Sequence, residues 1–222
     1  MERPLVAATP DKMTHNPERN EAVAAAMSDI RTIDRAGITR ESVEQIRNRL
    51  IELASRPDLF PWDDFPPEKS GDGSTLYLIS QDDDHRFALY VQSVAERTEA
   101  PPHDHLTWAC IVGLEGEEVN HKYKKAAGHG APEVSEEFVV KHGTGIGFLP
   151  DEVHSIKVTG GSLNFHCYGH DLLDLPPRNY WDENSHQWKT MKVRFPIVDA
   201  RPCPLLRYRF TNSLKQYKLH KN

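Results

Sequence analysis

The chain has 222 residues, of which 38% are hydrophobic and 27% charged, and a formal net charge of −6. That composition excludes the disordered class, and no apolar run approaches the roughly 18 residues that cross a bilayer. Acids and bases are interspersed, which argues against nucleic acid as a partner, because phosphate binding needs a concentrated basic surface.

The N-terminal stretch MERPLVAATPDKMTHNPERNEA has no apolar h-region, so a cytoplasmic location is expected. Asn16-Pro17-Glu18 reads as a helix start, with an N-cap, a proline at the first helical position and then an acid. The alanine-rich helix behind it ends near Gly37. A second helix is predicted from Thr39 or Ser42 onward, with Val43, Ile46, Leu50 and Leu53 at three- and four-residue steps forming one apolar face. Pro57 closes it. Pro61 to Gly73, rich in proline, glycine and acids, reads as a loop.

Beyond it the period changes. LYLIS, RFALYVQSVA, WACIVGL, EEVNHKYKK, EEFVVKH, IGFL, HSIKV and SLNFHCYG are short and rich in β-branched and aromatic residues. Turn signals such as DDDH, GLEGEE, GTG and TGG separate them, which predicts an antiparallel sandwich or barrel. No helical pattern interrupts the series, which argues against βαβ topology. LPPRNYWDENSHQWK reads as irregular, KVRFPIV as one more strand, and RYRFTNSLKQYKLHKN as a basic tail. The expected division is a helical segment over 1–73 packed on a barrel over 74–200, with a tail over 201–222.

Three cysteines, Cys110, Cys167 and Cys203, without C-x-x-C spacing suit neither a disulfide framework nor a structural zinc site. Histidines carry the chemistry. In an extended strand, His103 and His105 share one face and can present two imidazoles to one ion. Pro150-Asp151-Glu152-Val153-His154 follows another strand-like stretch, which a barrel can bring beside the first. In Asn164-Phe165-His166-Cys167-Tyr168, alternation puts Asn164, His166 and Tyr168 on one face, a costly arrangement in a dry core and a sensible one around a polar pocket. A solvent-facing strand is the alternative. His121, His129, His142, His170 and His186 read as surface residues.

The stretch from His103-Asp104-His105 to Gly116 resembles the first cupin motif in its thiol dioxygenase variant, the group of the cysteine and 3-mercaptopropionate dioxygenases. The segment around Pro150 and His154 resembles the second motif, and Asn164, His166 and Tyr168 resemble the Ser-x-His-x-Tyr signature, with asparagine in place of serine. The resemblance covers roughly Tyr77 to Tyr180. It implies a mainly β fold, a cupin double-stranded β-helix (jelly-roll barrel) with N-terminal α-helices. It also implies one Fe(2+) on His103, His105 and His154, with His166 and Tyr168 serving oxygen or substrate and Asn164 orienting His166. The activity implied is oxidation of a small thiol to its sulfinic acid with O2.

Cys110 stands near the place of the glutamate that completes the metal site of ordinary cupins. In some thiol dioxygenases a cysteine there is joined to the signature tyrosine by a thioether, which makes Cys110 and Tyr168 candidates for one. Strand parity from His105 sends Cys110 to the opposite face and favours a small buried hydrophobe. The LYLISQ stretch lacks the arginine that grips carboxylate in mammalian cysteine dioxygenases, whereas Arg178 lies close to where the mercaptopropionate type carries one. A surface arginine paired with Asp174 or Asp182 is the alternative. The expected partners are a small thiol bearing a carboxylate and O2, with neither nucleic acid nor membrane, in a monomer or small homo-oligomer. Two other readings stand beside this one: a metal-dependent cupin oxygenase on a non-thiol substrate, and a non-catalytic ligand-binding cupin.

Overall fold

The computed structural model describes residues 6–7, 16–67, 73–124, 130–192 and 196–202. Cys203, His129 and the whole of the basic tail lie outside them. Helix α1 (Pro17–Arg35) starts where Asn16 caps it, its side chain accepting from the Arg19 amide at 3.0 Å. Helix α2 (Arg40–Ala54) starts at Thr39, which forms a capping box with Ser42. Val43, Ile46, Leu50 and Leu53 are all buried on one face of α2.

The strands are β1 (Val6–Ala7), β2 (Ser74–Ser80), β3 (Arg86–Val94), β4 (Thr98–His103), β5 (Ala109–Lys124), β6 (Glu133–Lys141), β7 (Gly145–Phe148), β8 (Val153–Val158), β9 (Ser162–His170), β10 (Arg178–Asp182), β11 (Gln187–Met191) and β12 (Ile197–Asp199). They form one curled sheet with two halves. The first half runs β1-β12-β2-β3-β9 to the start of β5, where β7 also pairs, and the second runs from the end of β5 through β8, β4, β10 and β11, with β6 on the other side of β5. From β6 to β9 the chain alternates between the halves, as a double-stranded β-helix requires. This is the mainly β fold with N-terminal helices that the sequence implies.

Two segments differ from expectation. GLEGEE separates no strands: β5 continues through it for 16 residues and changes its partner from β9 to β8. Glycine makes the bend, since a Cβ on Gly113 would stand 2.3 Å from the Lys141 carbonyl carbon and Gly116 adopts φ +72°. The stretch read as irregular is the hairpin β10–β11, paired from Arg178↔Met191 to Asp182↔Gln187.

Alternation in β3, β5 and β9 serves two cores. Leu89, Val91, Cys110, Val112, Phe165 and Cys167 face the helices, while Ala88, Tyr90, Ala109, Ile111 and Tyr168 face the space between the sheet halves. Both faces of these strands are buried, so the solvent-facing reading of the Asn164 face does not hold.

Candidate metal centre

His103 and His154 come from two neighbouring strands, and His105 follows the first of them. His103 ends β4, with His154 of β8 opposite it on one side and Tyr180 of β10 on the other. His105 lies just past the strand end, so strand parity alone does not place it. Asp104 turns the other way, accepting from the Asn179 amide at 3.1 Å and from Asn179 Nδ2 at 2.6 Å. That grip holds the segment so that both flanking imidazoles reach the interior.

The ligand nitrogens of His103, His105 and His154 lie within 4.8 Å of one another, and all three residues are buried. His103 Nδ1–H donates to the Pro101 carbonyl at 2.8 Å. His154 Nδ1 is 2.8 Å from Asn120 Oδ1, and its Nε2 is 3.2 Å from His105 Nε2. Two nitrogens each ~2.1 Å from one ion at cis or tetrahedral angles stand about 3.0–3.4 Å apart, so this pair fits a shared metal. Burial, reinforced by the positive charge of Arg178, holds the His103 pKa down at about 3. Burial likewise holds His105 and His154 well below the usual histidine range. Neutral imidazole is the ligating form. The donor set, the burial and the spacing therefore suit one divalent ion.

His166 and Tyr168 project inward from β9, His166 Nδ1 being 3.1 Å from the Tyr168 hydroxyl. The Tyr168 ring centroid is 5.5 Å from that of His105. His166 Nε2 has no hydrogen-bond partner among the described residues. A cavity of about 280 Å³ is lined by His103, His166, Tyr168 and Arg178, with apolar walls that include Leu76, Ile156 and Leu172. Arg178 is 6% exposed and its Nε has no hydrogen-bond partner among the described residues. Asp174 bonds His170 at 2.6 Å, and Asp182 pairs with Lys189, so neither neutralises Arg178.

Cys110 is not brought to Tyr168. Its thiol faces the helices 3.5 Å from the Val43 carbonyl, on the opposite side of the sheet, and burial pushes its pKa up to about 12. The thioether expectation is corrected accordingly: no bulge interrupts Ala109–Gly113 opposite Tyr168–Asn164, so parity holds. Asn164 lies level with its expected strand mates, but its Nδ2 donates to Glu118 and Ser162 and not to His166.

Sequence reasoning missed Glu118 and Asn120. Both are fully buried, Asn120 Nδ2 donates to Glu118 Oε1 at 2.9 Å, and Asn120 touches His154. Their i, i+2 spacing on one strand face was the available signal. It is obscured because the surrounding EGEEVNHKYKK has the composition of an exposed strand.

No helix among the described residues is long and apolar enough to cross a membrane. No family model matches the chain, and no curated protein matches it. Solved structures similar to it include a cupin superfamily protein from Desulfitobacterium hafniense, 13% identical, covering 52% of this chain and 88% of that one with a TM-score of 0.38. A conserved protein with a double-stranded β-helix domain from Klebsiella pneumoniae subsp. pneumoniae is 12% identical over 60% of this chain and 96% of its own, with a TM-score of 0.39. Hydroquinone 1,2-dioxygenase from Sphingomonas sp. TTNP3, solved with 4-hydroxybenzoate bound, is 5% identical over 43% of this chain and 65% of its own, with a TM-score of 0.35.

Proposed function

We propose that the chain is a non-haem Fe(II) thiol dioxygenase that converts a small carboxylate-bearing thiol to its sulfinic acid. The observation that carries the reading is Arg178, a buried cation with no ion pair among the described residues, in the same cavity that His103 lines. An unpaired buried guanidinium is costly, and a carboxylate matches its fork of donors. His103, His105 and His154 would hold the iron, which supplies open positions and the redox chemistry for adding both atoms of O2 to a thiolate sulfur. The balance is closed, since RS⁻ and O2 give RSO2⁻ with no external reductant. His166 orients the Tyr168 hydroxyl at the cavity wall, and the apolar walls exclude water.

The apolar walls of Leu76, Ile156 and Leu172 favour a second reading, a metal-dependent oxygenase on a non-thiol substrate, because they match an apolar body better than a small polar thiol. One experiment separates the two. Protein loaded anaerobically with ferrous iron is mixed with oxygen and a panel of small thiols. Uptake matched by sulfinate from a carboxylate thiol is expected, and iron-loaded protein that takes up no oxygen with any thiol rejects the proposal.

A further inference from the structure

Glu118 has no part in that reading, yet it is 0% exposed. Among the described residues no lysine or arginine pairs with it. Its ionic neighbour is His166, whose Nε2 is 3.8 Å from Oε2. Burying a carboxylate without a cation is costly unless hydrogen bonds compensate it. Oε1 accepts from Asn120 Nδ2 at 2.9 Å and Oε2 from Asn164 Nδ2 at 3.1 Å.

These bonds fix more than two amides. A carboxylate only accepts hydrogen bonds, so it turns the NH2 of Asn120 toward itself and leaves Oδ1 facing His154 Nδ1, 2.8 Å away. The amide oxygen also only accepts, so the His154 proton must sit on Nδ1. The lone pair is then on Nε2, the nitrogen that meets His105 at 3.2 Å. If Asn120 reversed, its NH2 would force the proton to Nε2, and that nitrogen could not ligate.

We propose that Glu118 is a positioning residue that locks His154, through Asn120, in its metal-binding tautomer, while its second oxygen anchors Asn164 two residues from His166. The proposal rests on the three-histidine centre of the reading above and on neither the thiol nor the iron.

The test is a Co2+ titration without thiol on wild type, Glu118→Met, Glu118→Gln, Asn120→Leu and the Glu118→Met/Asn120→Leu double variant. Glu118→Met and Asn120→Leu should each weaken Co2+ binding ~10–100-fold, the scale for partners that orient ligating histidines. Glu118→Gln should keep most of the affinity. Its oxygen still accepts from Asn120, and its NH2 can donate to Asn164 Oδ1, without a partner among the described residues, once that amide reverses from the orientation in which its Nδ2 faces Glu118. The double variant should bind no more weakly than the weaker single one, because both residues act through one contact. Wild-type affinity in a natively folded Glu118→Met protein, or losses that add in the double variant, overturns the proposal. If Glu118→Met does not fold, long-range 1H–15N spectra of the metal-free wild type decide. His154 with its proton on Nδ1 supports the lock, and a proton on Nε2 refutes it. Oxygen uptake plays no part, so the absence of thiol turnover would leave this result standing.

Discussion

Tyr168 acts as a neutral phenol, because burial pushes its pKa up. Its hydroxyl therefore carries its proton and can orient, hydrogen-bond or donate, with His166 Nδ1 3.1 Å away. Tyr168→Phe should therefore retain metal and lower turnover ~10–100-fold, as read by metal analysis beside oxygen uptake. Unchanged uptake with well-coupled sulfinate would remove the hydroxyl from the chemistry. Arg178 is tested by comparison between substrates. Arg178→Leu should weaken use of a carboxylate thiol by ~2–5 kcal/mol, the scale for breaking a buried charge pair, and leave cysteamine nearly unaffected. Equal losses on both thiols would show that Arg178 shapes the cavity without reading the carboxylate.

At the scale of elements, β5 decides the architecture. Its bend requires Gly113, where a Cβ would stand 2.3 Å from backbone that has no room to yield. Gly113→Ala should lower stability by about 1–3 kcal/mol or more, measured as a reduced urea midpoint, and a midpoint equal to wild type would show that the bend relaxes. The same strand marks where sequence reading stops. Alternation in β9 was legible, because His166 and Tyr168 sit opposite Phe165 and Cys167 whatever the partner strands are. The caps Asn16 and Thr39 were legible for the same local reason. Burial of Glu118 was not, because it depends on β5 passing from one sheet half to the other, a tertiary event that the i, i+2 spacing of Glu118 and Asn120 does not reveal by itself. The β10–β11 hairpin was hidden by its polar composition, and its register is visible only once Arg178 and Met191 are seen paired.

At the scale of the molecule, three buried neutral histidines make folding sensitive to acid. His103, His105 and His154 are all depressed in the folded state, His103 to about 3. Unfolding exposes imidazoles of ordinary pKa ~6.5, so below that pH the unfolded chain binds more protons and stability falls, continuing toward pH 3 for His103. Above pH ~6.5 this contribution is complete. A bound divalent ion adds stability by mass action, and it competes with protons only where the folded imidazoles take them up, near pH 3 for His103. The melting temperature should rise with Co2+ at pH 7.5, and the increment should persist to pH ~5, as followed by scanning fluorimetry with a chelator control. An increment that collapses as pH falls through ~6.5 would show imidazoles of ordinary pKa at the centre. The grip of Asp104 on Asn179 has a kinetic counterpart. Among the described residues the β10–β11 hairpin pairs with the rest of the sheet at Tyr180↔His103, with Asp104 accepting from Asn179 beside it. These contacts tie the segment carrying two of the histidines to the strand carrying Arg178, so the two should open together. Amide deuterium exchange at Asn179 should then slow on metal loading, although no atom of Asn179 belongs to the centre.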